Sequence, residues 1–101
     1  MADREELRAA AEGRIGQLVN GKFRLLRLLG VGGMAAVYEA AHRNGKRVAL
    51  KMLHASLSQS ERQRKRFARE AYVANTIGHP GVVQIHDDGV SDDGTAYLVM
   101  E

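Results

Sequence analysis

The sequence predicts an α+β fold in which one helix packs against a twisted, five-stranded antiparallel sheet. Residues 22–53 contain three apolar-rich runs, and an Asn44-Gly45 pair joins the second run to the third. Residues 59–77 follow with apolar residues at helical spacing, and two further apolar runs end the sequence. Because tight turns make neighbouring strands antiparallel, three strands, a helix and two strands give this fold.

The first 20 residues are predicted to form a leader in front of the sheet. Residues 3–14 have helical composition, and two glycines then interrupt the pattern. We favour a short frayed leader over a docking helix, because isolated helices of this length are marginal in water. The expected organisation is a leader over residues 1–20 and one domain over residues 21–101.

The elements of the domain follow from local signals. The run KFRLLRLLGV leads into a glycine-rich stretch, and AAVYEAAHR and KRVALKML flank the Asn-Gly pair, which is a strong hairpin signal. Ser58 and Glu61 have the spacing of a capping box at the helix start, and Gly78 and Pro80 end the helix. The runs VVQIHDDGV and TAYLVME are predicted to be strands joined by the turn SDDG.

Composition excludes some classes of function. The formal charge is only +3 and aromatic residues make up 5% of the chain, which disfavours a nucleic-acid-binding surface. The absence of cysteine excludes disulfides and thiolate metal sites, and the histidines do not cluster at ligand spacing, so no metal site is expected. With no signal peptide and no membrane segment, we expect a cytoplasmic protein or the cytosolic part of a longer one.

The stretch LGVGGMAAVYEAAHRNGKRVALK, residues 29–51, indicates a phosphate site. The dinucleotide fingerprint and the P-loop both need a helix directly after the glycines, whereas strand-like residues follow here. We expect instead a flap of two strands whose bare backbone N–H groups cover a polyphosphate. Gly30, Gly32 and Gly33 have no side chain to block that approach.

Strand and helix periods add a charged pair to this site. On the third strand Ala49 and Lys51 share a face, which suits a flat ring with phosphates beyond it. Glu70 lies in the middle of the apolar stripe of the helix, where a lone carboxylate is costly. We therefore predict a Lys51–Glu70 ion pair that holds the ammonium where phosphates arrive.

Several motifs in order resemble one family. LGVGGMAAVYEA resembles the glycine-rich loop of protein kinases, VALK resembles their Val-Ala-Ile-Lys strand, and FAREA resembles their helix C around its glutamate. HPGVVQIHDDG and YLVME resemble the entry to the fourth strand and the run into the hinge. From about residue 20 the chain resembles the N-terminal lobe of a bacterial serine/threonine kinase of eukaryotic type.

The resemblance implies ATP as the ligand, with Mg²⁺ in the full-length parent protein. Leu29, Val37 and Ala49 would roof the adenine, Met100 would be the gatekeeper, and Glu101 would accept a hydrogen bond from the adenine through its backbone carbonyl. The implied nucleotide-binding set is Leu29, Gly30, Val31, Gly32, Gly33, Val37, Ala49, Lys51, Glu70, Met100 and Glu101.

Two positions depart from the family pattern. Ala35 replaces the third loop glycine, and its methyl group is expected to weaken nucleotide binding, so an Ala35→Gly variant should bind more tightly. Gly81 replaces an asparagine and is expected to affect a turn only.

The catalytic His-Arg-Asp loop and the metal-binding Asp-Phe-Gly motif of the family would both follow the hinge. The look-alikes His42-Arg43-Asn44 and Asp87-Asp88-Gly89 precede it, and we assign both to turns. This chain alone should therefore be inactive, while its parent would phosphorylate protein serine or threonine.

The alternative is a kinase-like interaction module without catalysis. In either case we expect the large C-terminal lobe, or a protein partner, to cover one apolar surface, which would otherwise favour self-association. A basic run along the helix could bind a phosphorylated segment or an acidic partner, but we favour a solvated outer face. It comprises Arg62, Arg64, Lys65, Arg66 and Arg69.

Overall fold

The computed structural model describes the backbone of residues 3–77 and 85–100. It describes the side chains of the same residues except those of residues 71–77 and 85–87. Three helices and six strands form in chain order. They are α1 (Arg4–Glu12), β1 (Leu18–Val19), β2 (Phe23–Val31), β3 (Ala35–His42), β4 (Arg47–Leu53), α2 (Ala55–Ser58), α3 (Glu61–Ile77), β5 (Ile85–Val90) and β6 (Ala96–Met100).

The strands form one antiparallel sheet in the order β1-β2-β3-β4-β6-β5. The hairpin between β3 and β4 closes at Gly45, whose φ of 91° is the left-handed conformation that glycine adopts without strain. The predicted α+β fold is confirmed, with six strands in place of five. The additional strand is the two-residue β1, which pairs with the start of β2.

One face of the sheet carries the larger core and is covered by the leader. We call it the leader face, because Ala11 of α1 and Val19 of β1 are buried against it. The Tyr38 hydroxyl donates a hydrogen bond of 2.7 Å to the Ala11 carbonyl. The sheet residues buried on this face are Phe23, Leu25, Ala36, Tyr38, Ala40, Leu50, Met52, Tyr97 and Val99.

The opposite face is covered in part by α3, and we call it the α3 face. Phe67 of α3 is buried in a smaller cluster of sheet residues at one end of this face. The sheet residues in that cluster are Ala35, Leu53, Ala96 and Leu98. Along β4 the α3 face continues through Lys51 and Ala49, which are only partly buried.

The leader differs from the favoured expectation of a frayed segment. Asp3 caps α1 by accepting a hydrogen bond from the Glu6 N–H at 2.8 Å, and Arg4 donates to the Val31 carbonyl at 3.1 Å. Contact with the sheet stabilises a helix that would be marginal in isolation, so the docking alternative describes α1 better. The boundary between leader and domain at residue 20 stays a prediction.

The start of α3 also differs from expectation. The capping box of Ser58 with Glu61 is wrong, because Ser58 belongs to α2 and its hydroxyl donates to carbonyls of Leu53 and His54. Ser60 caps α3 instead, accepting from the Gln63 N–H at 3.3 Å. The helix ends at Ile77 as expected, and Gly78, Pro80 and Gly81 lie outside the described residues.

The assignment of Asp87-Asp88-Gly89 to a turn is wrong as well. These residues lie within β5, where Gly89 pairs with Tyr97 of β6. A Cβ atom on Gly89 would lie 2.7 Å from the Tyr97 hydroxyl oxygen, so a larger residue at this position would force the Tyr97 side chain to shift. His42-Arg43-Asn44 does open the hairpin turn, as expected.

Candidate nucleotide-binding site

The sheet register brings most of the predicted site residues to the α3 face. Val37 of β3 is directly opposite Lys51 of β4, and Ala49 is directly opposite Met100 of β6. Directly opposed residues of antiparallel strands project from the same face. Since Val37, Ala49 and Met100 are only partly buried, they form an accessible apolar strip beside the Lys51 ammonium.

The glycine-rich loop lies at the end of this strip. It connects β2 to β3, and the Gly32 N–H closes it with a hydrogen bond of 2.8 Å to the Ala35 carbonyl. A Cβ atom on Gly30 or Gly33 would meet nothing within 4 Å, and one on Gly32 only the Ala35 oxygen at 3.7 Å. The space over the loop backbone is therefore open to a ligand, and β3 rather than a helix follows it.

The predicted ion pair is present. Lys51 Nζ lies 3.1 Å from Glu70 Oε1 of α3, which joins the sheet to the helix next to the glycine-rich loop. The pair places a cation on the α3 face two residues along β4 from Ala49. Such an ammonium is a suitable point charge for a phosphate group.

The expectation that Glu70 is buried in an apolar stripe is wrong. Its side chain is 55% exposed and that of Lys51 is 28% exposed. Phe67 is buried under α3, whereas Glu70, almost a full turn further along the same side of the helix, is exposed even though it pairs with Lys51 of the sheet. A pair this exposed contributes little to folding, so its geometry matters mainly for the charge that it holds in place.

The remaining predicted residues lie in different surroundings. Leu29 is the extra residue of a bulge between the pairs Leu28–Tyr38 and Gly30–Val37, and it is 47% exposed. Val31 packs its side chain against the leader-face core, so only its backbone borders the loop. Glu101 lies outside the described residues.

Ala35 packs its methyl group under α3. The residue is 6% exposed, pairs with Leu53 and belongs to the cluster around Phe67. Replacing it with glycine would therefore remove a small packing contact as well as free the loop. The tighter nucleotide binding expected of Ala35→Gly stays a prediction.

Sequence reasoning assigned no role to two groups near the site. Glu39 is on the α3 face opposite Ala49, and it pairs with Arg27 at 3.3 Å and Arg47 at 3.0 Å. His54, directly after β4, places its Nε2 atom 2.7 Å from the Gly32 carbonyl oxygen. The period-2 pattern does place Glu39 on the same face as Val37, whereas His54 is 22 positions from Gly32 in sequence and leaves no local signal.

The outer face of α3 matches the favoured interpretation of the basic run. Arg62, Lys65, Arg66 and Arg69 are exposed, while Arg64 turns back to donate to the Ser58 carbonyl. Within residues 3–77 and 85–100, no three His, Asp or Glu side chains are grouped so that they could hold a metal ion. None of the described helices has the length and apolar character needed to cross a bilayer.

Comparison with known proteins places these features in one family. The protein kinase domain model matches residues 23–101, which is most of the chain. PknA, a serine/threonine-protein kinase of Mycobacterium tuberculosis, is 42% identical over 93 residues, covering 87% of this chain and 22% of PknA. PrkC, a serine/threonine-protein kinase of Bacillus subtilis, is 40% identical over 88 residues, covering 86% of this chain and 13% of PrkC.

Solved structures agree with the sequence comparison. The crystal structure of the M. tuberculosis PknI kinase domain superposes with a TM-score of 0.65 at 32% identity, covering 86% of this chain and 34% of that domain. The chain thus spans about a fifth of the length of PknA and about a third of the PknI kinase domain. It belongs to the protein kinase family and corresponds to the N-terminal lobe of a serine/threonine-protein kinase.

Proposed function

We propose that this chain binds ATP on the α3 face, with the adenine on the apolar strip and the phosphates beneath the glycine-rich loop. The observation that carries the proposal is the Lys51 ammonium, held 3.1 Å from Glu70 beside an open glycine loop. The protein kinase family uses ATP and Mg²⁺ in general, which supports this choice of ligand.

Each part of the site has a physical task in this proposal. Val37 and Ala49 offer an apolar surface with little bulk to one side of a flat ring, and Met100 lies beside them. The exposed Leu29 side chain would cover the ring from the side of the glycine-rich loop. Lys51 supplies a cation to the phosphates, and Glu70 fixes its position, since an unpaired lysine side chain samples many rotamers. Glu101 would add its backbone carbonyl.

The wider activity is proposed for a full-length kinase that contains this lobe. There the γ-phosphate of ATP would be transferred to a protein serine or threonine, in the cytoplasm where ATP is available. The described residues include no cluster suited to Mg²⁺, and we propose that the ligands of the metal lie elsewhere in the kinase. Alone, this chain is proposed to be inactive.

The half-buried strip on the α3 face also requires a cover. Leu29 is 47% exposed, and the neighbouring site residues are only partly buried. We propose that the large C-terminal lobe of a kinase covers this side, and that a separate chain would self-associate or bind a protein partner there. The same surface would serve an interaction module without catalysis.

A titration with ATP followed by NMR tests the proposal. Amide shifts are expected at residues 30–37 and at Ala49, Lys51 and Met100 when ATP reaches millimolar concentration. Lys51→Met should abolish these shifts, because it removes the charge while keeping a long apolar side chain. The matched control is Lys46→Met, which removes the same charge from the exposed hairpin loop and should respond like the wild type.

Two results would overturn the proposal. One is the absence of shifts at millimolar ATP in a folded wild-type chain. The other is an equal response of the Lys51→Met and wild-type proteins, which would place the nucleotide elsewhere. Shifts without measurable phosphotransfer are the result expected if the chain binds nucleotide but lacks catalysis.

A further inference from the structure

His54 lies where three structural elements meet. It follows β4, which carries Lys51, and it is the N-terminal flanking residue of α2, which leads to the helix that carries Glu70. The residue is buried, with 8% exposure. A buried imidazole at such a junction is expected to have a specific hydrogen-bond partner.

His54 contacts the glycine-rich loop at two points. Its backbone N–H donates to the Met34 carbonyl at 2.9 Å, and its Nε2 atom lies 2.7 Å from the Gly32 carbonyl oxygen. Since a carbonyl oxygen only accepts, Nε2 must carry the hydrogen of this bond. The carbonyls on both sides of Gly33 are therefore bound by one residue.

These two bonds determine which way the loop peptides face. In a trans peptide the C=O and the following N–H point in opposite directions. Because the Gly32 carbonyl points to His54, the Gly33 N–H points away from it. That N–H has no acceptor within the part of the chain that the structure describes, and Gly33 is exposed.

We propose that His54 is a positioning residue, whose imidazole holds the peptide between Gly32 and Gly33 so that the Gly33 N–H faces a bound phosphate. The inference rests on the proposed ATP site, and it adds to that site a residue on the far side of the loop. Because His54 also follows the strand of Lys51, its bond to the loop fixes the distance between the Gly33 N–H and the Lys51 ammonium. A loop without this contact would sample more conformations before it could bind.

The test compares His54→Leu with His54→Gln in the full chain. Leucine keeps the apolar bulk and the backbone N–H but has no side-chain donor, whereas the glutamine amide can still donate to the Gly32 carbonyl. We expect His54→Leu to speed amide hydrogen exchange at Gly32 and Gly33 and to weaken ATP binding about threefold to tenfold, the range of one hydrogen bond. His54→Gln should restore both to within about twofold of the wild type.

Imidazole ¹⁵N shifts of the wild type provide a third readout, and they should report the hydrogen on Nε2. The inference fails if His54→Leu leaves loop exchange and ATP affinity unchanged, or if the hydrogen is on Nδ1. If His54→Leu does not fold, the inference is still tested by loop exchange and ATP affinity in His54→Gln and by the tautomer of His54 in the wild type. If the wild type binds no ATP, the proposed function fails, whereas loop exchange and tautomer still test the His54 contact.

Discussion

The two faces of the sheet have opposite characters although they are built from alternate residues of the same strands. Leu50 is fully buried on the leader face, and Lys51, the next residue, is partly exposed on the α3 face. The same alternation separates Tyr38 from Val37 on β3. One face therefore carries most of the core, and the other carries the candidate site.

This difference teaches where stability and function lie in a small lobe. A chain of 101 residues has only a thin margin of stability, so an open site on one face has to be offset by dense packing on the other. The leader provides part of that packing through Ala11 and Val19. Substitutions on the two faces should consequently separate loss of folding from loss of binding.

The largest expected effect comes from Leu50→Ala. Leu50 is 0% exposed, and truncating a buried leucine lowers the free energy of unfolding by about 2–5 kcal/mol. The control is Lys51→Met, one residue along the same strand, which should change stability by less than about 1 kcal/mol because the lysine is half-buried and its partner is exposed. Urea unfolding followed by circular dichroism measures both, and equal losses for the two variants would contradict the division between the faces.

Gly89→Ala should be the next most destabilising change. The added methyl would lie 2.7 Å from the hydroxyl oxygen of Tyr97 and 2.8 Å from a ring carbon, and Tyr97 is itself buried. Overpacking of this kind typically lowers the free energy of unfolding by about 1–3 kcal/mol. Thermal unfolding measures the loss.

The matched control for Gly89→Ala is Gly33→Ala in the glycine-rich loop. A Cβ atom there meets nothing within 4 Å, and Gly33 does not adopt a left-handed φ. We expect its stability to stay within about 0.5 kcal/mol of the wild type, as for surface substitutions without a specific contact. A Gly89→Ala variant that is as stable as Gly33→Ala would show that Tyr97 can move aside.

Much of the fold could be predicted because its signals are local. The Asn44-Gly45 hairpin and the period-2 alternation of β3 and β4 fix which residues share a face. The Lys51–Glu70 pair was predictable because each charge appeared awkward alone, although the carboxylate proved to be exposed. The local pattern therefore predicted correctly that Lys51 pairs with Glu70, and predicted incorrectly that Glu70 is buried.

The rest depends on contacts between distant segments. Nothing within residues 3–14 shows that Ala11 will meet Tyr38, 27 residues away, so the leader could not be assigned to the fold. Ser58 and Ser60 are both plausible caps, and only the short α2 decides between them. Likewise, the contact of His54 with Gly32 requires the completed sheet.

Tyr38→Phe tests how strongly the leader is held. The hydroxyl donates to the Ala11 carbonyl at 2.7 Å, and burial raises the pKa of Tyr38, which keeps the donor protonated. Removing this bond should lower the free energy of unfolding by about 0.5–1.5 kcal/mol. Hydrogen exchange should accelerate at the amides of α1 and remain unchanged in β4. Unchanged exchange in α1 would mean that the leader is held by its other contacts, the buried Ala11 and Val19 and the bond from Arg4 to the Val31 carbonyl, without help from Tyr38.

The smallest expected effect is a pH dependence at the turn between β5 and β6. The Asp93 carboxylate accepts a hydrogen bond from the Ser91 hydroxyl, interacts with Thr95 and pairs with Arg14 of the leader at 3.1 Å. The Ser91 bond, with help from Thr95 and Arg14, lowers the pKa of Asp93 from 3.8 to about 2, although partial burial opposes this.

A carboxylate whose pKa is lowered by folding stabilises the fold above its unfolded pKa, and that contribution is lost as the pH falls through the folded value. Asp93→Asn should therefore be less stable than the wild type at pH 7. The difference should be about 1 kcal/mol or less, because the half-exposed carboxylate is screened by solvent. It should shrink between about pH 4 and pH 2, where the wild type loses the same interaction. Urea unfolding of both proteins at several pH values measures the difference. A constant difference down to pH 2 would show that the leader is tied to this turn by the hydrogen bond from Arg14 to the Thr95 hydroxyl, and that the charge of Asp93 contributes nothing.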